Sequence, residues 1–150
     1  MHSTPHLGDS ASPDPSDALM DLLWMGLDHG IGSLKGGGPL VPFVIVEQAG
    51  ERHLSRFVAG PPNAMDLEAS VQQAVAAAND EAGKVDRLVL VYDAYLRMAD
   101  DRFDAVYAEG VENGTVSIVV AQRYRPKGRF RGFETIGNPQ ALPPHLGRLD

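Results

Sequence analysis

VDRLVLVYDAYLRMADDRFDAVYAEGVENGTVSIVVAQRYR, residues 85–125, holds three runs rich in β-branched and aromatic residues. Turn signals separate them, so 85–98, 102–112 and 115–125 read as three antiparallel strands. Asn113-Gly114 between the second and third is the strongest short hairpin signal, because both residue types accept the positive φ of a tight primed turn. As a two-residue loop it sets Glu112 opposite Thr115, and counting back it sets Glu109 opposite Ile118 and Asp104 opposite Arg123. A second turn at Asp100-Asp101 would set Tyr92 opposite Glu109 and Arg97 opposite Asp104.

Two expectations follow from these registers. Asp104 lies between Arg97 and Arg123, a structural charge ladder across three strands. Each opposite pair would contribute a few tenths to about 1 kcal/mol. Glu109 falls among Tyr92, Tyr107, Ile118 and Val120 on the core-facing side, where a carboxylate must find donors. It is expected to be a structural group, bonded to Tyr92 or a backbone amide and tolerant of replacement by Gln. The alternative is a functional acid in a pocket that Tyr92 and Tyr107 line.

Upstream, "LVPFVIVEQ" and "ERHLSRFVA" flank Ala49-Gly50 and read as a hairpin with Glu47 opposite Arg52 and Ile45 opposite Leu54. A first helix is expected from "DPSD" onward, capped by Asp14 and stopping near Gly30 or at latest by Gly36. Asn63 with Asp66 should cap a second helix, whose Leu67, Val71, Ala74 and Ala78 share one face and which Gly83 ends. The fold class is therefore α+β: a single antiparallel sheet of about five strands and two main helices in the order α-β-β-α-β-β-β. Both helices are expected on one face, with an irregular C-terminal tail. Residues 1–13 read as a disordered, Pro-rich leader, and 14–150 as one domain.

Composition bounds the chemistry. With 43% hydrophobic and 22% charged residues, 150 in all, the chain reads as a soluble globular protein. The absence of cysteine excludes disulfides and thiolate metal sites and suits a reducing, cytoplasmic setting. The five histidines are scattered, and no metal site or cofactor is expected. "GSLKGGGP" has its lysine before the glycines, the wrong order for a phosphate loop. No hydrolase, metalloprotease or dinucleotide motif is present, so the balance favours a non-catalytic protein.

"QRYRPKGRFRG", residues 122–132, is the most distinctive functional feature, with a cation at every second position from Arg123 to Arg131. The chain carries a net charge of −7 all the same. Pro126 and Gly128 disfavour a central strand, and Arg125 would face Arg102 across the hairpin. Arg125, Lys127, Arg129 and Arg131 are therefore expected as an exposed segment binding a partner or an anion. Tyr124, Phe130 and Phe133 add stacking surface, but the acidic remainder argues against nucleic acid. The element order from about Asp14 to Arg125 resembles that of the roadblock and longin-like scaffolds, and the resemblance implies a dimerising or partner-binding platform. The expected function is a protein-interaction or self-assembly module, acting with a protein partner or as a homo-oligomer and without a membrane. The alternatives are a small-molecule-binding protein or enzyme at Glu109, and anion or nucleic-acid binding through the basic segment.

Overall fold

A computed structural model describes residues 14–61 and 63–150; the expected leader lies outside the described residues. Helix α1 (Asp17–Lys35) is followed by strands β1 (Phe43–Gln48) and β2 (Glu51–Arg56), then helix α2 (Leu67–Glu81). Strands β3 (Arg87–Met98), β4 (Asp101–Glu112), β5 (Thr115–Arg125) and β6 (Glu134–Leu142) complete one antiparallel sheet in the order β2-β1-β3-β4-β5-β6. The α+β class and the order α-β-β-α-β-β-β hold. A sixth strand forms where the sequence suggested only an irregular tail.

The helices lie on opposite faces of the sheet, which corrects the one-faced arrangement. Leu19, Leu22, Leu23 and Leu27 of α1 pack with Val89, Val91, Val106 and Val120. Val71, Ala74 and Ala78 of α2 pack with Leu88, Leu90, Tyr92 and Tyr107. The reason is in β3, where Leu88 to Tyr92 are apolar without alternation and every one is buried. A strand with no polar face needs a layer on each side. Helix α1 continues through Gly30 for a related reason: a Cβ there would meet Val91 and Val106 at 3.0 and 3.2 Å, so glycine lets the helix lie close to the sheet.

Ser16, not Asp14, caps α1. Its hydroxyl accepts from the Leu19 amide at 3.1 Å and donates to Glu112 at 2.5 Å. Asp66 caps α2 through the Ala69 amide, and that helix ends at Glu81 with Ala82 as its C-cap, just short of the expected Gly83.

Both sheet registers of the second half differ from expectation. The β3–β4 turn is Ala99-Asp100, with Ala99 at φ 54, so Tyr92 faces Tyr107, Leu96 faces Phe103 and Arg97 faces Arg102. Matching apolar and aromatic residues on the α2 side outweighs the Asp-Asp turn signal. In β4–β5, Asn113-Gly114 turns as expected and Glu112 faces Thr115. An extra residue, Ser117, then bulges between the partners of Gly110 and Val111. Beyond it Glu109 faces Val119, Ala105 faces Arg123, and Asp104 faces Tyr124 and Tyr95. The expected ladder of Arg97, Asp104 and Arg123 is therefore not formed. Arg123 lies over the Phe103 ring at 5.0 Å, and Arg102 over Tyr95 at 4.2 Å.

A charge ladder stands instead at the other end of the sheet. Arg52, Glu47, Arg87 and Glu112 are direct cross-strand neighbours on β2, β1, β3 and β4. Arg52 bonds Glu47 at 2.7 Å, and Arg87 bonds Glu47 at 2.5 Å and Glu112 at 2.9 Å. Glu112 in turn holds the Ser16 cap. The hairpin pairing of Glu47 with Arg52 is the part of this array that the sequence reading contained. The Arg52 guanidinium first, against burial, and then Arg87 hold the Glu47 carboxyl below its ordinary range. Burial pushes Glu112 up, but Ser16 and Arg87 together outweigh it and the net shift is downward.

We expect Arg87→Met to cost about 2–3 kcal/mol at neutral pH, since two partly buried carboxylates lose their shared cation. Depressed native pKa values stabilise the fold above the unfolded carboxylate value of about 4.3, and that contribution is lost as pH falls through the native values. Urea denaturation across acid pH should show a steep loss in the wild type and a flatter limb in the variant. An equal acid limb in both would mean that the array does not govern acid stability.

Candidate functional site

Glu109 is fully buried on the α2 side of β4, and three donors reach its two oxygens. The Tyr92 hydroxyl donates to one carboxylate oxygen. The amide of Arg148 donates to the same oxygen at 2.7 Å, and the amide of Leu149 donates to the other at 3.0 Å. Burial, and next the Glu109 charge, push the Tyr92 phenol above its usual range, so it remains the donor. The sequence had Tyr92 directly opposite Glu109. The two residues are instead diagonal neighbours, and the two-residue shift of register kept them on one face. Tyr107 stacks on Tyr92 with centroids 5.2 Å apart, and its hydroxyl donates to the Tyr95 carbonyl at 3.1 Å.

The two backbone donors come from a strap, residues 143–150, that returns from the sheet edge to the α2 face. Leu149 is 9% exposed and joins the core there. Arg148 forks onto both carboxylate oxygens of Glu68 at 3.0 and 3.1 Å and lies 5.7 Å from the Tyr92 ring centre. Gly147 runs so close to Glu109 that a Cβ would stand 2.5 Å from a carboxylate oxygen. Beside the strap a half-open cleft of ≈ 530 Å³ is lined by Leu67, Val71, Tyr92, Tyr107, Leu146 and Arg148 among others. Glu109 thus lies beneath the strap beside the cleft, with both oxygens engaged. The role of the strap had no signal in the sequence except "LGRLD" itself, which carries no periodicity.

On the opposite face, both oxygens of Asp93 accept from the Tyr124 hydroxyl at 2.8 Å. Burial pushes its carboxyl up to about 6, with the Tyr124 bond opposing and Asp104 adding to the shift. Tyr124 also stacks on Phe133, so the base of the β5–β6 loop is anchored to β3.

That loop, residues 126–133, carries the basic segment. Arg125 belongs to its base: it faces Glu134 and pairs with it at 3.1 Å, and does not face Arg102. Lys127, Arg129 and Arg131 are exposed beyond it and form no salt bridge among the described residues. Phe130 at the tip is 92% exposed, with the Arg129 guanidinium 5.4 Å from its ring centre. Among the described residues no group of three His, Asp or Glu side chains is placed to hold a metal ion, and no helix is long and apolar enough to cross a membrane.

No protein-family model, curated protein or solved structure matches the chain. The likeness to roadblock and longin-like scaffolds is therefore one of element order.

The geometry revises the expected tolerance of Glu109. A glutamine would present an amide NH₂ to an amide N–H or to the Tyr92 hydroxyl, because both oxygens now accept. Glu109→Gln should cost on the order of 1.5–3 kcal/mol. Gly147→Ala should release the strap with the sheet intact. Hydrogen exchange would read both: the amides of Arg148 and Leu149 should lose protection, while those of Leu88 to Tyr92 keep it. Protected strap amides in Gly147→Ala would show that the close approach is not limiting.

Proposed function

We propose that the chain is a non-catalytic protein-interaction module that engages an acidic protein surface through the β5–β6 loop. The observation that carries this reading is Phe130, 92% exposed between two arginines at the tip of a loop whose base is fixed. Aromatic and arginine side chains dominate binding energy at interfaces, and a fixed loop loses little entropy on docking. The candidate cations narrow to Lys127, Arg129 and Arg131, since Arg125 already has Glu134. Opposite charge on the partner would speed encounter, and a cysteine-free chain suits a cytoplasmic partner. Nucleic acid fits less well, because the eight Lys and Arg outside residues 123–131 stand against twenty Asp and Glu. A small-molecule site or enzyme centred on Glu109 is disfavoured by the three donors that occupy its oxygens.

Three probes separate these readings: polyglutamate, a glutamate–tyrosine copolymer and a single-stranded oligonucleotide. We expect both polypeptides to bind and to weaken as salt rises. The copolymer should bind more tightly, and Phe130→Ser should remove that advantage by about tenfold, a difference of roughly 1.4 kcal/mol. Changing Lys127, Arg129 and Arg131 to Ser should abolish binding without lowering the melting temperature. An oligonucleotide that binds more tightly than either polypeptide, or loop resonances that shift with none of the three, would overturn the proposal.

A further inference from the structure

Residues 147–149 are held as a receptor holds a bent peptide, by a distinct device at each position. At Gly147 the selection is steric, because any side chain would collide with the Glu109 carboxylate. At Arg148 it is electrostatic and planar: Glu68 takes the guanidinium with two bonds, and Tyr92 offers its ring face. At Leu149 it is apolar, the side chain entering the core that α2 makes with the sheet. Between these, Glu109 receives two consecutive backbone amides, which the bend at residues 147 and 148 turns toward the same carboxylate. Among the described residues no ladder joins this strap to a strand, and residues 143–146 are exposed. The segment is thus bound at a few points and linked to β6 through Pro143 and Pro144.

We propose that the groove between α2 and the β3–β4 face is a docking site for a Gly-Arg-Leu segment, and that two copies of the chain link by exchanging this segment. The self-bound arrangement is the closed form. In the exchanged form residues 147–149 of one copy make the same contacts in the groove of the other, so no new interface chemistry is required. The segment is known to fit because the chain's own copy fits. Residues 143–146 link β6 to the docked segment, and with the single turn at Pro144–Leu146 opened they would span roughly 13 Å. The high effective concentration of the tethered strap favours the closed form in dilute solution. This linkage is independent of the β5–β6 loop, which lies on other residues.

The test uses the full chain and the peptide PPHLGRLD, which matches residues 143–150. The peptide should bind the Gly147→Ala chain, whose own strap is unseated, at least about tenfold more tightly than it binds the wild type. A peptide with Ala in place of Gly should not bind, and one with Ala in place of Arg should bind more weakly. For exchange between copies, Gly147→Ala supplies an open groove with a defective strap, and Glu109→Gln supplies a sound strap with a defective groove. Each should sediment as a monomer alone, and the mixture should form a one-to-one dimer. Phe130→Ser added to both should leave that dimer unchanged, which separates this result from the fate of the loop reading. If Gly147→Ala does not fold, Leu149→Ser serves as the strap-defective chain. Failure of the peptide to bind a folded strap-defective chain would overturn the docking site. A mixture that stays monomeric while the peptide binds would overturn the second copy as its source.

Discussion

Strand β3 cannot give either face to water. Leu88, Leu90 and Tyr92 point one way, Val89 and Val91 the other, and all five are buried. That constraint calls for two helical layers, with α1 and α2 taking opposite sides. It also places β3 inside the sheet, between β1 and β4, so the hairpin before α2 must return to flank the strand after it. Once the middle strand is enclosed, its polar chemistry is confined to its ends, the Tyr92 hydroxyl and the continuation past Tyr92. The ladder at Arg87 and the Asp93–Tyr124 contact both lie there.

Local chemistry explains which parts of this were legible in the sequence. Asn113-Gly114 and Ala49-Gly50 name their own turns, and both hairpins close where the residues say. The bulge at Ser117 left no such mark. Ile118 to Ala121 are apolar at every position, so a slip of one residue costs nothing in pattern while turning every side chain over. The misplaced pairing of Asp104 with Arg123 follows from that one residue, and that of Arg97 with Asp104 from the turn at Ala99-Asp100. The continuous apolar run in β3 did signal burial on both faces, but the order of elements alone suggested one. The sixth strand was hidden by Gly137, Asn138 and Pro139, residues that usually break strands. Here they sit where the β5–β6 register shifts, and the Gln122 side chain bonds the Ile136 and Gly137 carbonyls.

Of the candidate sites, the sequence located groups better than it located their partners. Glu109 with Tyr92 was readable because a two-residue shift preserves the face on which side chains project. The strap was not, since Glu109 receives its backbone amides, which are the same in every sequence, and its Gly, Arg and Leu have no periodicity. The basic segment was readable as exposed. Its division into a paired base at Arg125 and an open tip depended on Glu134, whose strand was not foreseen.

The meander from β3 to β5 joins neighbours through tight turns, whereas Glu112 reaches the Ser16 cap across 96 positions and Glu109 reaches Leu149 across 40. Loop closure makes distant contacts slow to form, so the order of assembly is written into these separations. Contact separation favours the three-strand meander as the nucleus, with β1 and α1 closing on it through the charge ladder. Tyr92 and Glu109 then remain open to solvent until the strap arrives. Sheet and helices can therefore be assembled while the Glu109 carboxylate is still hydrated, and docking of residues 143–150 is what removes it from water.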